Sequence, residues 1–123
     1  MPYAFSRRDA NERVLVEAWR ARGWAWIAHG RESGYDGDLV TPFCVFIVQI
    51  KNPAHKWQLT EAEVACKAMV ESAGGTYNII ETLEQSIEMV NARRFADDLA
   101  RIEQDDPLAR AIIGAVGRKA ARR

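Results

Sequence analysis

The sequence predicts a single α/β domain in which a small mixed β-sheet is flanked by helices. Short apolar segments typical of strands are interspersed with capped segments typical of helices. The most apolar strand segment is joined to the last one through a helix, and such a crossover should make these two strands parallel. A chain of 123 residues has room for one domain whose core needs no disulfide.

The first half of the chain is predicted to form a helix and three strands. Segment 8–22 is the helix: Ser6 and Asp9 favour its start, Gly23 favours its end, and one apolar stripe contains Val14, Leu15, Ala18 and Trp19. Segment 24–29 is the first strand, and a loop containing three glycines follows over 30–37. Segments 38–41 and 43–51 should form a hairpin with its turn near Thr41-Pro42.

The second half of the chain is predicted to contain three helices and one strand. Capping-box patterns at Thr60 and Thr82 open two of the helices. The predicted elements are a helix from Thr60 to about residue 73, a strand over 76–80, a helix from Thr82 to residue 103 or 104, and a last helix over 108–116. We expect a core over about 9–90, and a helical extension with a basic tail over 91–123.

Composition indicates an ordinary globular protein, with 48% hydrophobic and 28% charged residues. A formal net charge of zero argues against binding nucleic acid by bulk charge alone. Segment 43–48, the longest apolar run, is too short to cross a bilayer, and the N-terminus lacks the apolar core of a signal peptide. We therefore expect a cytoplasmic location and no membrane contact. Cys44 and Cys66 lack metal-ligand spacing, so we expect them to be reduced, buried thiols.

Three polar residues are predicted to meet at one edge of the sheet. Gln49 and Lys51 are two positions apart, so their side chains share one face. The hairpin should bring Asp38 across from that end of the strand. Mg²⁺ prefers oxygen ligands, which Asp38, the Gln49 amide and the Ile50 carbonyl can supply. Lys51 can then position a water molecule and offset charge on a phosphate.

Glu12 is a candidate second carboxylate. It lies three residues before Leu15 and seven before Trp19, so it shares the inward face of the first helix, whereas Glu17 should face solvent. A carboxylate at the end of a buried stripe is costly unless it is paired or binds a metal. Glu12 is therefore a predicted metal ligand.

The motifs follow one another in a recognisable order: Glu12, Gly34-Tyr-Asp-Gly-Asp38-Leu39, Val48-Gln-Ile-Lys51, Leu59-Thr-Glu-Ala-Glu63 and Gly74-Gly75. This pattern resembles the VRR-NUC family of the PD-(D/E)xK nuclease superfamily, over about residues 9–90. The resemblance implies a restriction-endonuclease-like core, hydrolysis of DNA phosphodiester bonds and a Mg²⁺ or Mn²⁺ requirement. Stand-alone members resemble phage and bacterial structure-specific nucleases, including dimeric Holliday-junction resolvases, which makes a homodimer one alternative.

Two positions depart from the family pattern. A carboxylate usually stands where this chain has Gln49, and a glutamine where it has Glu63. The first change removes a negative ligand and should weaken metal binding, which Glu63 can restore if it reaches the site. The proline of the superfamily name is also replaced, by Gly37. The alternatives are a nuclease-like protein that binds nucleic acid or a protein without cutting, and an unrelated α/β interaction domain.

Asp36, His29 and His55 offer further chemistry near the predicted site. Asp36 can replace Asp38 as a ligand, although an aspartate in Tyr-Asp-Gly more commonly stabilises a turn. Both histidines can act as general bases, and for His29, at a strand end, a structural role is favoured.

Four residues are predicted to contact nucleic acid. Lys56 can contact a phosphate, and Trp57 can stack on a base or pack against the next helix. Arg7 and Arg8 suit contacts to a phosphate backbone, although arginines at a helix start are commonly solvated.

Overall fold

The structure, a computed structural model, describes residues 7–121, without the side chains of residues 7–9, 31, 109, 110 and 118–121. Within these residues the chain forms four α-helices and one four-stranded sheet. The elements are α1 (Arg7–Ala21), β1 (Ala25–Ala28), a 3-10 turn (Arg31–Ser33), β2 (Gly37–Val40), β3 (Val45–Ile50), α2 (Glu61–Ser72), β4 (Asn78–Ile80), α3 (Leu83–Asp105) and α4 (Pro107–Ala121). The chain divides into two compact units between Ile87 and Glu88.

The sheet has the order β1-β2-β3-β4. The first three strands form an antiparallel meander, and β4 pairs with β3 in parallel. The predicted mixed α/β fold is therefore confirmed. The parallel pair follows from the crossover through α2, which returns the chain to the same end of the sheet before β4 begins.

The two faces of the sheet differ in chemistry. Pairing places Trp26, Leu39 and Phe46 on one face, together with Val48 and Ile50 of β3. Helix α1 covers this face, where the Trp19 and Trp26 ring centroids are 5.2 Å apart. Since Trp19 is fully buried, its indole N–H needs a partner, and it donates to Ser86 Oγ at 2.9 Å. The opposite face carries Asp38, Gln49 and Lys51 of the predicted site, whereas the predicted ligand Glu12 belongs to α1 and lies on the apolar side of the sheet.

Several boundaries differ from the predictions. Phe43 and Cys44 belong to the turn rather than to β3, because Thr41 holds that turn closed through its N–H and hydroxyl, which both donate to the Cys44 carbonyl. Helix α4 continues to Ala121, so the predicted helix end at residue 116 is wrong. Arginine, lysine and alanine, which make up residues 118–121, are all good helix formers. Ser6, predicted to favour the start of α1, lies outside the described residues.

Two further expectations concern the cysteines and the membrane. Cys44 and Cys66 are both free and half-buried, less buried than predicted. Among the helices of residues 7–121, none has the length and apolar character that crossing a bilayer requires.

Glycines end α1 and α2 as predicted, with φ of +82° at Gly23 and +85° at Gly74. A third glycine, Gly34, has φ of +82° and lies against α2. A Cβ atom there would be only 2.5 Å from the Cβ of Cys66. Gly34 therefore permits the close approach of the loop before β2 to α2.

We expect Gly34→Ala to destabilise the protein more than Gly74→Ala. Both substitutions place a side chain at positive φ, at a cost of about 1–2 kcal/mol, but a Cβ at Gly74 meets nothing within 4 Å. The collision with Cys66 should add about 1–3 kcal/mol at Gly34. Urea unfolding of the two variants measures the difference, and equal midpoints would contradict close packing of the loop on α2.

Candidate functional site

The end of β3 is unusual because its polar side chains are buried. Gln49 has no exposed surface and Lys51 is 7% exposed. Their spacing places both on the face of the sheet opposite α1, as predicted. Groups withdrawn from water in this way need partners, and those partners define the site.

Lys51 forms a buried ion pair with Glu63 of α2. Its Nζ lies 2.8 Å from Glu63 Oε1, and both side chains are less than one-tenth exposed. The same Oε1 accepts the N–H of Thr60 at 2.9 Å, while Thr60 Oγ1 accepts the N–H of Glu63. The predicted capping box is thus confirmed, and its Glu63 carboxylate also neutralises the charge of Lys51. Sequence reasoning missed this pair.

Trp57 stands beside the same lysine. Lys51 Nζ lies 5.9 Å from the Trp57 ring centroid, and the indole N–H donates to Glu81 Oε2 at 3.1 Å. These contacts fix the ring, which is nevertheless 39% exposed. A fixed, half-open aromatic ring suits stacking on a base. Lys56, the adjacent predicted phosphate contact, is exposed.

Gln49 lacks hydrogen-bond partners. Neither its amide oxygen nor its amide nitrogen has one among the described residues. Asp36 contacts the backbone on either side of it: its N–H donates to the Val48 carbonyl at 3.1 Å, and its carboxylate accepts the Ile50 N–H at 2.7 Å. Asp36 therefore binds across to β3, and the favoured interpretation as a local turn aspartate misses this role.

Asp38 lies on the same face as Gln49 but diagonally from it, two pairs away along the ladder. Its Cα partner is Ile47, so the hairpin does not set it directly across from the Gln49–Lys51 end as predicted. Val40 pairs with Val45 next to the turn, and this first pair sets the register of the remaining pairs of β2 and β3. Diagonal neighbours on one face remain within reach of a long side chain such as that of Gln49.

Two aromatic side chains surround the Asp38 carboxylate. His29 Nε2 is 2.7 Å from Asp38 Oδ2, and the Tyr35 phenol lies close enough for the charge of Asp38 to act on it. Burial, followed by the negative charge of Asp38, raises the pKa of Tyr35. The Tyr35 phenol therefore stays protonated to a higher pH than that of a free tyrosine. His29, for which a structural role is favoured by the sequence, thus contacts Asp38, a candidate metal ligand.

Glu12 occupies the predicted stripe, half-buried above the buried Leu15 and Trp19, and Glu17 is exposed. Its neighbour Asn11 anchors this end of α1. The Asn11 amide donates to the carbonyls of Lys51 at 3.0 Å and Glu81 at 3.3 Å. The start of α1 is therefore fixed at the ends of β3 and β4. Sequence reasoning missed Asn11, whose only signal was its place beside Glu12.

A shallow cleft opens next to this anchor, between α1 and the loop that follows β3. It is lined by Ala10, Asn11, Val14, Asn52, Pro53, Ala54 and His55. Arg7 and Arg8 lie in the first turn of α1, but their side chains are outside the described part of the chain.

A divalent cation would find oxygen ligands here, but few of them. Within residues 7–121, no group of three or more His, Cys, Asp or Glu side chains is arranged to hold a metal ion. Mg²⁺ usually needs only one or two carboxylates, with water and substrate phosphates completing its shell. The Asp38 carboxylate and the unpartnered Gln49 oxygen fit that requirement. The Ile50 carbonyl stays a predicted backbone ligand; the Ile50 N–H donates to Asp36 Oδ2 at 2.7 Å, and the residue is fully buried.

The structure thus brings Asp38, Gln49 and Lys51 to one face, and adds His29 and Glu63 as their partners. Compared with known protein families and with curated proteins, the chain gives no match. Its function must be inferred from its own residues.

We expect Gln49→Leu to stabilise the fold. The substitution replaces a buried amide that lacks partners with an apolar group of similar size, which should raise the free energy of unfolding by about 1 kcal/mol. Gln58→Leu, at an exposed loop position, is the matched control and should change little. Denaturant titration provides the measurement. A loss of stability would mean that the Gln49 amide is hydrogen-bonded in solution.

Lys51→Met should cost about 3–5 kcal/mol, since it leaves the Glu63 carboxylate buried without its counter-charge. Adding Glu63→Gln should recover much of that loss, because glutamine keeps the capping box and removes the charge. Unfolding of the two single variants and the double variant measures the coupling between the residues. Strictly additive effects would contradict a buried ion pair.

Proposed function

We propose that this protein is a metal-dependent DNA endonuclease with a restriction-endonuclease-like core. The observation that carries the proposal is the placing of Asp38, Gln49 and Lys51 on one sheet face, with the lysine held by Glu63. The strand order and the parallel β3–β4 pair support it, because they agree with the core that the resemblance to VRR-NUC nucleases implies.

Each residue has a distinct role in the proposed reaction. Asp38 and Gln49 supply oxygen ligands to Mg²⁺ or Mn²⁺. Glu12 is proposed as a second carboxylate, which would have to reach the ion from α1, on the other side of the sheet. The ion, when bound, polarises the phosphodiester and makes water more acidic. Lys51 places a positive charge beside the scissile phosphate, where a low dielectric strengthens its effect. Its short contact to Glu63 limits where that charge can lie.

DNA contacts are proposed for Lys56 and Trp57, beside Lys51, and for Arg7 and Arg8 at the start of α1. Because the formal net charge is zero, affinity should depend on these local contacts. We further propose that the protein acts in the cytoplasm. Paired incisions would require a homodimer, since one site cuts one strand.

A second candidate function is favoured by the charge of the site. Gln49 carries no charge, and Glu63 neutralises Lys51. The Asp38 carboxylate is engaged by His29, and the Asp36 carboxylate accepts the Ile50 N–H. A site with so little net negative charge should hold a divalent cation weakly. On this alternative the protein binds nucleic acid or a protein partner without cutting it.

Cleavage of labelled linear, flapped and four-way-junction DNA with Mg²⁺ or Mn²⁺ tests the first proposal. The wild-type protein should cut at least one substrate, and Asp38→Asn should lower the rate by about a hundredfold or more. Glu61→Gln removes an exposed acid from the first turn of α2 and should have no effect. Undiminished cutting by Asp38→Asn would contradict the site. Binding without cutting, together with cutting gained in Gln49→Glu, would favour the second candidate.

A further inference from the structure

His29 follows β1 and turns toward the proposed metal site. Its backbone N–H donates to the Asp36 carbonyl at 2.8 Å, which fixes the residue beside β2. Its Nε2 lies 2.7 Å from Asp38 Oδ2. The side chains of His29 and Asp38 are 31% and 22% exposed, so an ion can reach both from solvent.

The distance between these two atoms suits neighbouring ligands of one cation. Two ligands at right angles, each about 2.1 Å from an octahedral ion, lie about 3 Å apart. In the structure these two atoms are hydrogen-bonded to each other, and their separation of 2.7 Å would have to widen by only a few tenths of an ångström for both to bind one ion. Tyr35 packs its ring edge-on, 5.0 Å from the His29 ring centroid, which restricts the imidazole to this side.

An independent observation places a ligand-seeking atom on the same face. Gln49 is fully buried, and its amide oxygen has no partner among the described residues. A nitrogen from His29, a carboxylate from Asp38 and an amide oxygen from Gln49 make a mixed ligand set. Imidazole binds first-row transition ions well, whereas Mg²⁺ prefers ligand sets made of oxygen alone.

We propose that His29 is an additional metal ligand and that it makes the site select a first-row transition ion over Mg²⁺. This inference rests on the metal centre of the proposed function and names the class of ion that the centre holds. Replacing the imidazole should therefore weaken transition ions selectively, because Mg²⁺ gains little from a nitrogen ligand.

Calorimetric titration with Co²⁺, Mn²⁺ and Mg²⁺ tests the inference in the wild-type protein, His29→Gln and His55→Gln. We expect His29→Gln to weaken Co²⁺ binding by about tenfold or more and to change Mg²⁺ binding by less than about threefold. His55→Gln, the matched change at the only other histidine, should leave Co²⁺ affinity unaltered. The visible absorption of bound Co²⁺ should shift in His29→Gln and stay unchanged in His55→Gln.

Equal Co²⁺ affinity and absorption in the wild-type protein and His29→Gln would overturn the inference, as would Co²⁺ binding that Asp38→Asn does not weaken. If Mg²⁺-supported DNA cutting persists in that event, the proposed nuclease stands and only the role of His29 fails. If Co²⁺ binds through His29 and Asp38 but no substrate is cut, the metal site stands and the proposed activity fails.

Discussion

The buried pair of Lys51 and Glu63 constrains the rest of the site. A charge withdrawn from water is tolerated only when its counter-charge is close, so the first turn of α2 must lie against the end of β3. Thr60 couples this requirement to helix formation, because the acid that meets the lysine also completes the capping box. The crossover from β3 to β4 is therefore fixed at its start by electrostatics and at its end by strand pairing.

The two faces of the sheet divide stability from chemistry. One face is apolar and is covered by α1 through Trp19, and it is stabilised mainly by burial of apolar surface. The other face buries Gln49 without partners, which lowers stability and has no structural compensation among the described residues. Local conflicts of this kind concentrate where a protein binds something. The conflict at Gln49 thus supports a ligand site more strongly than the motif alone.

Much of the architecture could be predicted from sequence because it depends on short-range patterns. The capping boxes at Thr60 and Thr82 both form, and the hairpin and the parallel strand follow from apolar segments and turn residues. The roles of Asp36 and His29 could not be predicted in this way. Asp36 bonds to a backbone group 14 residues away, and His29 to a carboxylate nine away, so each contact exists only once the strands are paired.

The sequence by itself determined which residues share a face, since the alternation of side chains along a strand is fixed by backbone geometry. It therefore placed Gln49 and Lys51 together and ended α1 and α2 at glycines. Tertiary structure decided the register that sets Asp38 opposite Ile47, and it chose Glu63 as the partner of Lys51. The register depends on how the turn between the strands closes. The partner of a buried charge depends on which charged residue the covering helix brings next to it. Neither can be read from the local sequence of one strand.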